Sequence, residues 1–223
     1  MNIKTQQRII SLDLLRGIAV LGILWMNIQS FSSPLAAYGN PTAYGDFSGA
    51  NFYAWVIANV FAEFKFMTLF SILFGSGIAI FYNRASEKGF NAQALNTRRM
   101  QWLLLFGLIH GYFIWYGDIL FIYAICGLIA VKFVNVSLKR QLVSASLMFM
   151  VPVLFIYLLS LLIATGDTEL MAELTRDWAP SEALLQQEIS AYKGSWLDAR
   201  LASIPTVITF QLAGLFIYGW RVC

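Results

Sequence analysis

The chain carries a single histidine, His110, set between Gly107 and Gly111 in an apolar run. It stands about six residues short of the turn at Gly117, or about 9 Å deep at 1.5 Å per residue. A neutral imidazole at such a place can act as general base toward a hydroxyl or amine, or accept an acyl group transiently. Asp118, at the start of the next apolar run, suits either of two tasks: orienting the imidazole or capping the following helix. A lone histidine in an apolar helix is also read as a hydrogen-bonded core residue. With one histidine there is no His or Cys cluster at metal-ligand spacing, so no protein-built metal site is expected. G-x-S-x-G, P-loop and H-E-x-x-H patterns are absent as well.

Other polar residues interrupt apolar stretches, where an ionisable group costs about 2.5 to 3.5 kcal/mol on insertion scales. Asp13 and Arg16 have the i,i+3 spacing of a helical pair. Asn27 falls on the stripe of Arg16, because 11 steps of 100° return to within about 20° of the start. Snorkelling accounts for such an arginine, and helix-to-helix bonding for such an asparagine, as readily as ligand binding does. Glu63 and Lys65 are two apart and do not face each other on a helix, so each is a candidate for a partner elsewhere or for the nearby surface. Lys65, Thr68 and Ser76 lie on one stripe expected to face a bundle.

These residues need helices to position them. Of the 223 residues 59% are hydrophobic and only 12% charged, against about 25% charged in soluble domains. That composition is a membrane protein's, and it leaves no room for a large soluble domain. At about 20 residues per span, the chain reads as one all-α transmembrane domain, 1–223, a polytopic helical bundle of about six crossings. The expected spans are 17–31, 64–82, 101–116, 119–134, 142–164 and 204–220. Residues 51–62 form an aromatic-rich interfacial helix, and the third and fourth spans are a hairpin turning at Gly117 and Asp118. Pro152 marks a kink. The polar stretch 165–203 lies on the surface, with a helix over 182–192.

The net charge of +3 is too small and too dispersed for nucleic-acid binding. Sorted into alternate loops, it separates. One side collects 11 of the 15 basic residues and only Asp13 and Glu87 among the 12 acids; the other collects ten acids against Lys65, Arg176, Lys193 and Arg200. The basic side is the cytoplasmic one, which puts both termini inside and the 165–203 loop outside.

Three blocks carry a resemblance. Arg8 to Asn27, with Leu12-Asp13-Leu14-Leu15-Arg16-Gly17, resembles the opening helix of the YeiB-like bacterial inner-membrane proteins. Phe64 to Gly77 and His110 to Ala124 fit the same family, so the resemblance covers residues 8 to 124. It implies a multi-pass protein of the inner membrane and further helices after Cys223, so the chain is expected to be truncated. The L-D-x-L-R-G opening is also similar to that of the transmembrane acyltransferases, among them heparan-α-glucosaminide N-acetyltransferase and the polysaccharide O-acetylating enzymes. Family acyltransferases that place a catalytic histidine in the first outer loop have no counterpart here, since residues 30–51 hold none.

That second similarity implies acyl transfer from cytoplasmic acyl-CoA, a co-substrate and not a resident cofactor, to an envelope polysaccharide or small-molecule acceptor. In this scheme His110 is base or acyl carrier and Asp118 orients it. Asp13 and Arg16 meet the acyl-CoA phosphates, while Asn27 and Lys65 stabilise the oxyanion. The alternatives are a small-solute permease with Glu63 or Lys65 at its gate, against which the lack of an internal repeat counts, and a non-catalytic membrane subunit.

Overall fold

The computed structural model describes residues 10–217, leaving aside the side chains of 216 and 217. Expectations placed on Lys4, Arg8, residues 218–220, Arg221 and Cys223 fall outside that range. Among the described residues every regular element is helical. In chain order they are α1 (Ile10–Ser32), α2 (Leu35–Gly39), α3 (Gly49–Phe61), α4 (Lys65–Glu87), α5 (Ala92–Ile109), a π-helical segment (His110–Ile114), α6 (Leu120–Phe133), α7 (Leu138–Ala164), α8 (Thr168–Trp178), α9 (Glu182–Lys193) and α10 (Trp196–Ile217).

Three segments are long and apolar enough to cross a bilayer: Ile10–Ser32, Gly49–Glu87 and Leu138–Ala164. Their surfaces are the inverse of a soluble helix. On α1 the large side chains Leu14, Ile18, Leu21, Trp25 and Ile28 point outward, whereas Ala19, Gly22 and Met26 are buried. Between α7's ends only Pro152 is buried, within an uninterrupted helix. Apolar groups gain nothing by leaving lipid for protein, so the small residues go to the contacts, where backbones approach closely.

Those contacts build the bundle. A Cβ on Gly22 would fall 2.1 Å from the ring of Phe66, so this glycine lets α1 lie against α4. A Cβ on Gly107 would stand 2.4 Å from the backbone nitrogen of Phe121. Only glycine permits that approach, which joins α5 to α6 as the expected hairpin. The inner core is shared by α4, α5 and α6: Ile122, Tyr123 and Cys126 pack with Phe70, Phe74 and Leu103, and Ile78, Met100 and Val131 form a second cluster beyond Phe74. α10 closes the other side, with Val207 fully buried.

The long apolar stretch is divided where Glu63 and Lys65 suggested. The amides of Ala62 and Glu63 both donate to the Ala58 carbonyl, at 2.8 and 3.0 Å, which ends α3. Phe64 then takes a left-handed conformation, φ 59°, before α4 starts. The hairpin differs in detail from expectation: its helical part stops at Ile114, and extended chain carries it to α6 at Leu120. The polar stretch holds two surface helices, since α8 precedes α9, and Asp167 caps α8 by accepting from the amides of Glu169 and Leu170.

Candidate functional site

At the end of α5 the helix widens. The Trp115 amide donates to the His110 carbonyl at 2.9 Å, an i to i+5 bond, and the chain then leaves the helix. Such π turns recur at functional sites because they re-aim side chains that an α-helix would point elsewhere. Here the turn brings His110 Nδ1 to 2.9 Å from Asp118 Oδ1. Asp118 is completely buried, while the His110 side chain keeps 31% of its surface exposed.

The carboxylate is held by three protein donors. The Leu120 amide donates to Oδ1 at 3.1 Å and the Phe121 amide to Oδ2 at 2.8 Å, so Asp118 caps α6 and holds His110 at once. Burial pushes its carboxyl above the ordinary range, and the Phe121 and Leu120 amides and His110 pull it back. The positive end of α6 adds to their effect. With the carboxylate ionised, Nδ1 carries the imidazole proton and donates, leaving Nε2 with a free lone pair.

Neighbouring residues keep this arrangement in place. Gly111 leaves room beside it: a Cβ there would meet Asp118 Cβ at 3.4 Å and Gln211 Nε2 at 3.3 Å. Gln211 is buried, and its Nε2 has no hydrogen-bond partner among the described residues. Arg200 Nη1 donates to the Ile114 carbonyl at 2.8 Å, closing the π turn. The Trp115 ring stands edge-on to His110, with centroids 6.5 Å apart. The buried Tyr116 hydroxyl donates toward the Ser30 carbonyl at 3.4 Å.

Beside this turn is a cavity of about 70 Å³ walled by Asn27, Phe64, Trp115, Tyr116 and Tyr123. It has room for an acetyl group or about two waters at ~30 Å³ each. Asn27 thus belongs to the same end of the molecule as His110. Glu63, Lys65, His110 and Asp118 are not among the residues that line this cavity. The Lys65 ammonium instead donates to the Asn59 carbonyl at 3.0 Å, capping α3, and is exposed. Two apart across a helix break, Glu63 and Lys65 serve the junction. Thr68 is likewise exposed, and the polar group of α4 that faces the bundle is Ser71, 2.9 Å from the Tyr123 hydroxyl.

The other end holds a larger cavity of about 460 Å³, with Asp13, Arg16, Arg84 and Arg99 on its walls and Phe70 and Phe74 at its inner end. Arg16 Nη1 pairs with Asp13 Oδ1 at 3.3 Å, the helical spacing expected. Arg84 and Arg99 are residues that counting loop charges assigns to a solvated face. Tyr123 separates the two cavities: its ring meets Phe70 and Phe74 edge-on at 5.2 and 5.0 Å.

The chain is similar to the uncharacterised protein YeiB of Escherichia coli, 31% identical over 224 residues that cover 96% of the chain and 55% of YeiB. YxaH of Bacillus subtilis, also uncharacterised, is 41% identical over 155 residues, 66% of the chain and 39% of that protein. An uncharacterised 39.9 kDa protein of Bacillus acidopullulyticus is 33% identical over 66% of the chain and 40% of its own length. The chain spans about half the length of the curated relatives it matches, from 39% to 55%. No family model matches it, and no solved structure does. All-helical, with apolar helices long enough to span a bilayer, the chain is a homologue of the YeiB-like uncharacterised proteins.

Proposed function

We propose that the protein is an integral inner-membrane acyltransferase that moves an acyl group from cytoplasmic acyl-CoA to an acceptor on the outer side. In this reading the chain crosses about six times, with α5 and its π segment, α6 and α10 as crossings beside the three long apolar segments. Both termini and the arginine-lined cavity are cytoplasmic, and α8 and α9 lie outside. The contact that carries the reading is the 2.9 Å pair between His110 Nδ1 and the buried Asp118.

The step follows from that pair. An acceptor hydroxyl or amine gives its proton to His110 Nε2 while its oxygen or nitrogen attacks the thioester carbonyl. The developing imidazolium is stabilised by Asp118 through Nδ1–H, and the Asn27 amide serves the oxyanion. The carbon–sulfur bond then breaks, the thiolate takes the proton from Nε2, and acylated acceptor and free thiol leave. About 16 Å of α5 separates Arg99 from His110 at 1.5 Å per residue, so the acyl donor must reach past Tyr123.

Membranes containing the protein, incubated with labelled acetyl-CoA, test it. The wild type should label an envelope acceptor and His110→Ala should lower the rate by about 10²- to 10⁴-fold. Transfer unaffected by His110→Ala removes the histidine from the mechanism.

A second reading is a small-solute carrier. What favours it is that the two cavities open at opposite ends and are closed from each other by Phe70, Phe74 and Tyr123. Solute uptake into proteoliposomes without any label transfer would support the carrier.

A further inference from the structure

We propose that Arg16, Arg84 and Arg99 form a binding site for a phosphate-bearing ligand, whose less polar part lies against Phe70 and Phe74. Sequence spacing indicates only Arg16 with Asp13; the fold adds Arg84 from the end of α4 and Arg99 from two turns into α5. The inference names a ligand class for the basic end and holds whether or not His110 transfers an acyl group.

Three helices each deliver one guanidinium to one cavity, and among the described lining residues the carboxylate is Asp13. Like charges gathered in a cleft repel one another and focus a positive potential into it, and a dianionic group relieves that repulsion. Phosphate suits guanidinium better than a lone carboxylate does, because its oxygens accept paired N–H donors from more than one arginine.

Arg16 and Arg99 are held rather than left to sample solvent. Arg16 Nη2 donates to the Leu73 carbonyl at 3.2 Å, besides its pair with Asp13. A Cβ on Gly77 would lie 2.7 Å from that nitrogen, so the glycine keeps the space the guanidinium occupies. Arg99 sits over the Phe81 ring, 4.1 Å from its centroid, and Nη1 donates to Asn96 Oδ1 at 3.3 Å. Asn96 is itself fully buried. Stacking and side-chain bonds engage only part of the Arg16 and Arg99 forks, whose five N–H donors each exceed those contacts. The cavity, at about 460 Å³, is within the usual range for small-molecule sites. Its composition grades from arginine at the mouth to phenylalanine within, which matches a ligand with an anionic head and a less polar remainder.

Such a phosphate belongs to a soluble ester or to a lipid headgroup, and the test separates them. The intact protein in phosphatidylcholine nanodiscs is titrated with inorganic pyrophosphate by calorimetry. In parallel, phosphatidylglycerol retained through purification is counted by native mass spectrometry. Variants Arg84→Gln and Arg99→Gln are compared with Arg84→Lys, Arg99→Lys and, as a control for general charge, Arg140→Gln on α7. Saturable pyrophosphate binding, weakened about tenfold or more by either glutamine variant, less by lysine and not by Arg140→Gln, bears out the site with a soluble ligand. Phosphatidylglycerol lost from the same variants only bears it out with a lipid. No saturable binding of either probe, or binding that Arg140→Gln reduces as much, overturns it. The lysine variants keep the charge, so the comparison survives if a glutamine variant fails to fold. A wild type that transfers no label to any acceptor while binding pyrophosphate would sink the acyl-transfer reading and leave this site standing.

Discussion

The two ends of the molecule put polar groups into an apolar bundle by opposite means. At the arginine end the charges are long side chains around an open cavity of about 460 Å³, with Arg16 and Asp13 each about one-third exposed, at 35% and 36%. At the histidine end the charge is a short carboxylate, fully buried and held by two amides and an imidazole beside a cavity of about 70 Å³. The first arrangement selects by charge and tolerates movement; the second fixes one atom in one place. Attraction of a ligand needs field and room, whereas proton transfer needs geometry within hydrogen-bond reach.

That contrast can be broken. The largest effect is expected from Asp118→Asn, which keeps the shape of the cap but removes the charge that sets the imidazole proton on Nδ1. Label transfer should fall by about 10²- to 10⁴-fold with pyrophosphate binding unchanged; equal losses in both would mean that the two ends are not separate. Gly107→Val should follow, because its Cβ would enter the backbone of Phe121. Overpacking of this kind costs about 1 to 3 kcal/mol, measurable as a lowered unfolding temperature in detergent, and it should disturb both ends since α5 carries Arg99 and His110 alike.

Smaller effects refine the boundary between the ends. Tyr123→Phe removes the bond to Ser71 and should cost about 0.5 to 1.5 kcal/mol of stability. Tyr123→Ala, by opening the wall, should also let a small solute leak across proteoliposomes. The least change is expected from Gln211→Leu. A buried amide nitrogen without a partner is better replaced by an apolar group, so stability should stay level or rise slightly. A simultaneous fall in label transfer would show that Gln211 works on the substrate.

Much of this was legible in the residues. Apolar runs located the long helices, and the two-residue separation at Gly117 and Asp118 marked the α5–α6 hairpin. The position of Asp118 at the start of a run indicated a cap and an imidazole partner, and a single carboxylate turned out to serve both. Arg84 and Arg99 were not legible as site residues. They flank the α4–α5 turn, where charge counting places them on a solvated face, and only the antiparallel packing of α4 and α5 turns both toward Arg16. Lys65 opens α4 at the expected break, and the left-handed Phe64 before it lets its ammonium fold back on the Asn59 carbonyl, a contact that the spacing along α4 does not reveal. Helix α8 was missed although Asp167 caps it and Leu170, Met171, Leu174 and Trp178 fall at helical spacing; it buries no residue.

The bare circumference of α7 ties the protein to the thickness of its bilayer. The apolar part of this helix, 142–164, is about 35 Å long at 1.5 Å per residue, somewhat more than a hydrocarbon layer of about 30 Å, an excess that a modest tilt accommodates. A cleft of about 280 Å³ between α7 and the α4–α6 core gives the tilt room. Thinner membranes should lean α7 further and change that cleft while leaving the clamped turn at Asp118 untouched. Lipid chain length is therefore a physical control on one flank of the molecule and not on the other.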